Sequence, residues 1–290
     1  IPLIGFDKDK KIINSLRNKK SYITDISNFD LRDIRKKSLS NKFESQLIKE
    51  CDYILICVPT PLKNSTEPDM SHVEKVFNEI FPKLRMGQTI ILESTVYPGA
   101  TKKIFVNKLK QKFSIGKNFH LGFSPERIDP GLKKNSVPVE DITKLISGYS
   151  KNCTIKVEKI YRKIFNKIYK CNSIEEAELA KLFENTFRSV NIGLVNEFKM
   201  LCSKININFH EILSAAKTKP FGFRPFIPGP GVGGHCVPID PLFVSWFAKK
   251  KNFNASFIKL SNKINLKVTN WTILKILENC KKIKKKKIKL

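Results

Sequence analysis

The sequence predicts an α/β protein in two parts: a parallel sheet covered by helices on both faces, then an all-helical domain entered by one long helix. Three observations carry this. Apolar runs alternate with amphipathic helical patterns through the first 170 residues. From Ser173, periodic apolar residues continue to about Leu201 with no Pro and a single Gly. A loop rich in Pro and Gly, residues 220–241, then separates two further helical patterns.

In chain order, Leu3-Ile4-Gly5-Phe6-Asp7 reads as a short strand, and a helix follows with apolar positions Ile12, Ile13 and Leu16. Tyr53 to Val58 is almost continuously apolar, the pattern of a strand buried on both faces. Ser71-His72-Val73-Glu74 has the form of a capping box. The helix it opens carries Val73, Val76, Phe77, Ile80 and Leu84, with Gly87 suited to its end. Thr89 to Glu93, Phe119 to Phe123 and Leu145 to Tyr149 are further strands, and a helix with Val157, Ile160, Tyr161, Ile164 and Ile168 follows them. This rhythm is Rossmann-like. A second capping box, Ser173 to Glu176, opens the long helix, and helical patterns return at Asn208 to Ala216 and Phe257 to Leu277. The expected domains are a Rossmann-like part at 1–170, truncated at its N-terminus, a helical part at 171–275, and the start of a further domain at 276–290. Both chain ends read as cuts through a longer protein.

The net charge of +28 raises nucleic acid as a partner, but only eight of the 54 basic residues are Arg. A phosphate-reading surface uses Arg forks and aromatic platforms, whereas these lysines are scattered among Ile, Asn and Phe. No nucleic-acid partner is expected. The run Lys281 to Lys287 reads as a solvated linker. No apolar run is long enough to span a bilayer, so no membrane partner is expected. Seven cysteines without a CxxC pair or a secretory signal fit reduced thiols and a cytoplasmic protein, and no metal site is expected.

The chemistry should sit at the strand ends and in the loop. In open α/β sheets ligands bind at the carboxyl ends of strands. Asp7 ends a strand as the ribose-binding carboxylate of a dinucleotide fold does, though a helix N-cap is the other reading. The glycine-rich turn expected some 20 residues upstream is not in this sequence. Val58-Pro59-Thr60 and Ser94-Thr95 occupy two more strand ends, where the prolines could simply shape turns. Glu126 follows the next strand and suits either a ligand or an ion pair. On the long helix Lys181 and Asn185 share a face. They could donate to an oxyanion, or be an ordinary solvated Lys beside an Asn. In the loop, Gly229, Gly231, Gly233 and Gly234 offer backbone N–H groups and close approach to a ligand, and Cys236 and Asp240 follow. Such donors favour the thiolate, the nucleophilic form of Cys236.

Six stretches together resemble the UDP-glucose/GDP-mannose dehydrogenase family: the strand ending at Asp7, VPTPL at 58–62, ESTVYPGAT at 93–101, GFSPER at 122–127, AELAKLFENTFRSVNIGLVNE at 177–197 and GPGVGGHCVPIDP at 229–241. The wording of 218–243 is most similar to the branch acting on UDP-N-acetylhexosamines, UDP-N-acetylglucosamine above all, for surface polysaccharide. His235 and Ile239 stand where the UDP-glucose enzymes usually carry Ser and Lys. The resemblance implies an NAD-dependent four-electron oxidation of a sugar C6 alcohol, two NAD per turnover. Cys236 would carry a thiohemiacetal and then a thioester. Lys181 and Asn185 would stabilise the oxyanion, Lys181 also serving the first oxidation, while Asp240, Thr95 and Glu126 position or activate water. Asp7, Val58, Pro59, Thr60, Thr95 and Glu126 would line the NAD site. Phe221, Arg224, Phe226 and the four loop glycines would face the UDP-sugar, and the helix 173–201 would form a homodimer interface.

The other readings are a UDP-glucose or GDP-mannose 6-dehydrogenase, a two-electron hydroxyacid or phosphogluconate-type dehydrogenase, and a non-catalytic basic binding module. The two-electron enzymes need a helix Lys but no thiol, so the loop ending at Cys236 argues against them.

Overall fold

The computed structural model describes residues 2–23, 26–32, 39–128, 137–234 and 236–282. His235 and residues 283–290, the greater part of the anticipated further domain, lie outside them. In chain order the strands are β1 (Gly5–Phe6), β2 (Leu39–Ser40), β3 (Tyr53–Ile56), β4 (Leu62–Lys63), β5 (Glu67–Pro68), β6 (Thr89–Leu92), β7 (His120–Phe123), β8 (Lys144–Gly148) and β9 (Ile168–Lys170). The α-helices are α1 (Lys10–Arg17), α2 (Ser45–Glu50), α3 (Ser71–Ile80), α4 (Ala100–Lys110), α5 (Lys151–Tyr161), α6 (Ile174–Lys204), α7 (Phe209–Lys217), α8 (Asp240–Lys250) and α9 (Ser256–Lys282). The chain divides into two compact units, Ile1–Thr60 with Met70–Glu178, and Pro61–Asp69 with Leu179–Leu290.

The first unit is built on a five-stranded sheet in the order β3-β6-β7-β8-β9. β3, β6 and β7 run parallel, β8 is antiparallel to β7, and β9 is parallel to β8. The sheet is parallel-dominated, as its apolar strands predict. Ile90, Ile91, Leu92, Leu121 and Phe123 are wholly buried, and Ile146, Val157 and Tyr161 pack α5 onto the sheet. Gly148 makes that approach possible, since a Cβ there would stand 2.3 Å from the Thr154 nitrogen on α5. Removing one such buried aromatic, as in Phe123→Ala, costs about 3–5 kcal/mol.

The structure corrects four local expectations. β3 is an edge strand with Leu55 exposed, because β1 and β2 pair with each other as a separate parallel sheet. α3 has Met70, not Ser71, at its N-cap position, and the buried Met70 side chain anchors the entry by packing. Gly87 lies beyond the 3-10 turn Phe81–Lys83, in the bend leading into β6, rather than at the end of α3. α5 stops at Tyr161. Ile164 is exposed, and Ile168 opens β9, where the Lys144 N–H donates to the Lys167 carbonyl (2.9 Å). Strand pairing outweighs the helical spacing there.

In the second unit β4 and β5 form a short antiparallel hairpin lying against α8. α6 opens on the expected box. Ser173 Oγ accepts the Glu176 N–H (3.1 Å), and Glu176 Oε2 reaches back to the Asn172 N–H (2.9 Å). α7 is capped by Asn208 and buries Phe209 and Leu213 against Cys202 and Val195 of α6. α8 begins inside what the sequence presents as loop, with Asp240 and Pro241 in its first turn.

Candidate active site

Within the first unit, the carboxyl ends of the strands carry the residues expected at the cofactor. Asp7 follows β1 and is half-buried. Its Oδ1 accepts the Asp9 N–H (2.8 Å), while Asp9 itself caps α1, so Asp7 is not the helix cap. Two hydroxyls staple the next strand ends to each other: Ser94 Oγ donates to the Val58 carbonyl (2.6 Å), and Thr60 Oγ1 to the Thr95 carbonyl (2.6 Å). The loops 58–60 and 94–96 therefore hold one shape, with Pro59 between the stapled residues. A half-buried carboxylate at the end of β1 is of the kind that accepts a dinucleotide's ribose hydroxyls.

Glu126 stands at the end of β7. Its Oε1 accepts the Arg127 and Ile128 N–H groups (both 2.6 Å), and Oε2 lies 3.2 Å from Lys144 Nζ. Burial works to raise its pKa, but Lys144 and the two backbone donors outweigh it and hold the carboxyl below the ordinary value. Lys144 is buried and also pairs with Glu93 (3.2 Å), which in turn accepts from the Tyr161 hydroxyl and from Cys57 Sγ (3.2 Å). The sequence assigns no site role to Lys144 or to Glu93, which it presents only as the end of a strand and the start of the 93–101 stretch. The signal available was a lysine inside the apolar run of β8, which a buried strand tolerates only against a partner.

Within the second unit, α6, α8 and the glycine loop bring four expected residues into one neighbourhood. Lys181 and Asn185 are both buried, so the solvated reading of Lys181 fails. Asn185 Nδ2 donates to Asp240 Oδ2 (2.5 Å). Asp240 is 2% exposed, and burial pushes its carboxyl up to about 6 against the opposing pull of Asn185 and Lys181. Cys236 is exposed, and its carbonyl accepts the N–H groups of Ile239 (3.1 Å) and Asp240 (2.9 Å). A buried carboxylate and an exposed thiol are thus joined by one turn at the start of α8.

The loop residues divide. Phe221 and Arg224 are exposed, and Phe226 meets Phe187 of α6 edge-on with centroids 5.9 Å apart. Gly233 and Gly234 are exposed. Gly229 differs from expectation, because its N–H is spent internally on Asn196 Oδ1 (2.9 Å). Gly231 has φ +132°, and a Cβ there would stand 2.5 Å from Thr269 Oγ1, so the close neighbour that requires glycine is α9. No group of three His, Cys, Asp or Glu that could hold a metal occurs among the described residues.

Residues 1–165 match the NAD binding domain of the UDP-glucose/GDP-mannose dehydrogenase family, and residues 175–267 match that family's central domain. The chain belongs to this family. It is 34% identical over 272 residues to UDP-N-acetyl-D-glucosamine 6-dehydrogenase of Salmonella typhi, covering 93% of this chain and 63% of that protein. It is 33% identical over 288 residues to UDP-N-acetyl-D-mannosamine dehydrogenase of Methanococcus maripaludis, covering 97% of this chain and 63% of that one. The structure of the UDP-D-ManNAc dehydrogenase of Pyrococcus horikoshii superposes with TM-score 0.85 at 29% identity, over 97% of this chain and 66% of that chain. The chain therefore spans less than two thirds of the length of these curated family members.

Proposed function

We propose that this chain is the greater part of an NAD-dependent nucleotide-sugar 6-dehydrogenase. It would oxidise the C6 alcohol of a UDP-N-acetylhexosamine, UDP-N-acetylglucosamine in the first instance, to the carboxylate for surface polysaccharide. The observation that carries the reading is the junction at α8, where Cys236 is tied through its carbonyl to Asp240, and Asp240 through its carboxylate to Asn185. A two-electron dehydrogenase has no use for that thiol.

Conversion of an alcohol and water to a carboxylate removes four electrons. NAD, when bound, supplies the acceptor for one hydride from the alcohol and for a second from the thiohemiacetal. Asp7, the Val58–Thr60 loop and Thr95 would hold it. The Cys236 thiolate adds to C6 of the aldehyde, forming the C–S bond and an oxyanion. One N–H of the Asn185 amide is spent on Asp240, which orients the second as an oxyanion donor, with the Lys181 ammonium beside it. Once the thioester stands, Asp240 accepts a proton from the attacking water, and collapse of the adduct breaks the C–S bond and returns the thiolate. Thr95 and Glu126 enter the proposal as residues that hold water.

A homodimer through α6 is part of the same reading. Leu179, Phe183, Phe187, Leu194, Phe198 and Leu201 form an exposed apolar stripe along it, which supports association. No helix among the described residues is long and apolar enough to cross a membrane. The thiols support a cytoplasmic setting.

The test is NADH formed per sugar consumed by the full-length parent, with UDP-N-acetylglucosamine beside its manno epimer, UDP-glucose and GDP-mannose, and with Cys236→Ala. Two NADH per sugar, and a variant arrested before acid release, is the expected result. One NADH per sugar, or normal acid release by the variant, sinks the thioester route.

A further inference from the structure

The loop that carries Cys236 is anchored at two points, and only one of them is the α8 junction. The other is a run of buried, uncharged groups between α6 and α9 in the second unit. The Gly229 N–H donates to Asn196 Oδ1 (2.9 Å), Asn196 Nδ2 donates to Asn265 Oδ1 (3.4 Å), and Asn265 Nδ2 donates to the Ser189 carbonyl (3.0 Å). Asn196 is 0% exposed and Asn265 4%. One residue beyond Gly229, Thr269 Oγ1 donates to the Pro230 carbonyl (2.8 Å), and Gly231 then lies against that same hydroxyl. α9 comes close enough to complete the chain because α6 has Gly193 opposite it, where a Cβ would meet the Ser261 carbonyl at 3.3 Å.

Two buried primary amides are a costly way to join two helices, since each must find partners that an apolar pair would not need. Here each amide uses both its oxygen and its nitrogen, and the chain of bonds points one way, from the loop backbone to the α6 backbone. The Ser189 carbonyl fixes which way the Asn265 amide faces. That fixes Asn196, and Asn196 then presents an acceptor to the one loop N–H it meets.

We infer that Asn196 and Asn265 are positioning residues for the glycine loop, holding Gly229–Gly231 on α6 and α9 so that Cys236, five residues past Gly231, is presented from a backbone pinned on both sides. The inference rests on the reading of Cys236 as nucleophile. The pinning itself is open to test without turnover.

The experiment uses the full-length parent with Asn196→Ala, Asn265→Ala and Thr269→Val. Asn191→Ala serves as the control, because that amide lies on α6 outside the relay and, among the described residues, donates to the Phe187 carbonyl (2.7 Å). Three quantities are read: kcat and KM for UDP-N-acetylglucosamine, the rate of Cys236 alkylation by iodoacetamide followed on its peptide by mass spectrometry, and hydrogen exchange of the peptide containing residues 229–234. Misplacing a reacting group by about 1 Å costs on the order of a hundredfold in rate. Asn196→Ala is therefore expected to lower kcat by about tenfold or more, to speed exchange in the loop and to change the alkylation rate, while Asn191→Ala does none of these. Thr269→Val is nearly isosteric and removes the Pro230 bond together with a longer bond to the Asn265 carbonyl (3.4 Å) within α9, leaving both amides in place, so it reports on the loop if the amide variants do not fold. It is expected to speed exchange at the loop peptide. Loop exchange and alkylation that match the parent in every variant that folds overturn the inference, as does a kcat loss shared equally by Asn191→Ala. If the parent forms no NADH from any nucleotide sugar while the loop still loosens in the variants, the positioning stands and the proposed reaction falls.

Discussion

Two buried polar clusters do comparable structural work by opposite means. In the first unit, Lys144 lies between Glu93 and Glu126 at the strand ends, with Tyr161 and Cys57 also donating to Glu93. In the second, Ser189, Asn265, Asn196 and Gly229 are joined by neutral amides. The ionic cluster has strong pair attraction but had to shed most of the hydration of Lys144 and Glu93, while Glu126, 45% exposed at its side chain, keeps part of its own, so the two buried members are costly without each other. The amide cluster is weaker per contact and carries no net charge. One is suited to setting a protonation state, the other to setting a position regardless of pH.

The sharpest way to break that contrast is to remove the central cation. Lys144→Met leaves the buried Glu93 carboxylate without its cation, and about 3–5 kcal/mol of stability should be lost near neutral pH. Lys144 helps hold the Glu126 carboxyl below its ordinary value, so the parent loses that contribution as pH falls and Glu126 takes up its proton, and the gap between parent and variant should shrink in acid. Asn265→Ala should lose less, about 1–3 kcal/mol, by the same amount at both pH values. Urea unfolding at pH 4 and pH 7.5 measures both. A pH-independent loss for Lys144→Met would mean that the charges do not control that cluster.

A second, smaller effect concerns Glu178, a lone buried carboxylate that accepts the Gly99 N–H (2.5 Å) and the Thr101 N–H (2.9 Å) at the start of α4. Burial pushes its carboxyl up from 4.5 to about 7, against the pull of those donors. The folded state then binds the proton more tightly than the unfolded one. Its stabilising contribution is complete below about pH 4.5 and fades as pH rises through about 7. Glu178→Gln can accept only one of the two N–H groups, so it should cost about 1–3 kcal/mol and flatten the slope of stability between those pH values. An unchanged slope in the variant would show that Glu178 is not the titrating group. The smallest effect belongs to the exposed pair Arg85–Asp52 (3.0 Å), where Asp52→Asn should cost under about 1 kcal/mol and nothing measurable in high salt. A loss as large as that at Lys144 would erase the distinction between buried and exposed charge on which the comparison depends.

Much of this architecture is legible in the residues. The apolar runs at 53–58, 89–93 and 119–123 find their strands, and the box at Ser173 marks the start of a 31-residue helix to within one residue. β9 is hidden because Ile164 and Ile168 continue the helical spacing of α5, and nothing local says that Lys167 will meet Lys144 across a sheet. α8 is hidden because its first turn is written Asp-Pro after a run of glycines and prolines, which reads as loop. The proposed site residues Lys181, Asn185, Cys236 and Asp240 stand out by type and by the company they keep. Lys144, Glu93, Asn196 and Asn265 do not, since a lysine in a strand or an asparagine in a helix carries no local mark of its partner.

By itself, the sequence determined the order of the elements, the long helix, the glycine loop and the thiol within it, because periodicity, capping and glycine content act over a few residues. Tertiary structure alone decided that β8 runs against β7, that Gly229 and Gly231 answer to α6 and α9, and that Asp240 is buried beside Asn185 with its carboxyl pushed up to about 6. The reason is common to all three. Each depends on a partner tens of residues away, and the hydrogen bond or the desolvation that decides the outcome exists only once the fold has brought the two together.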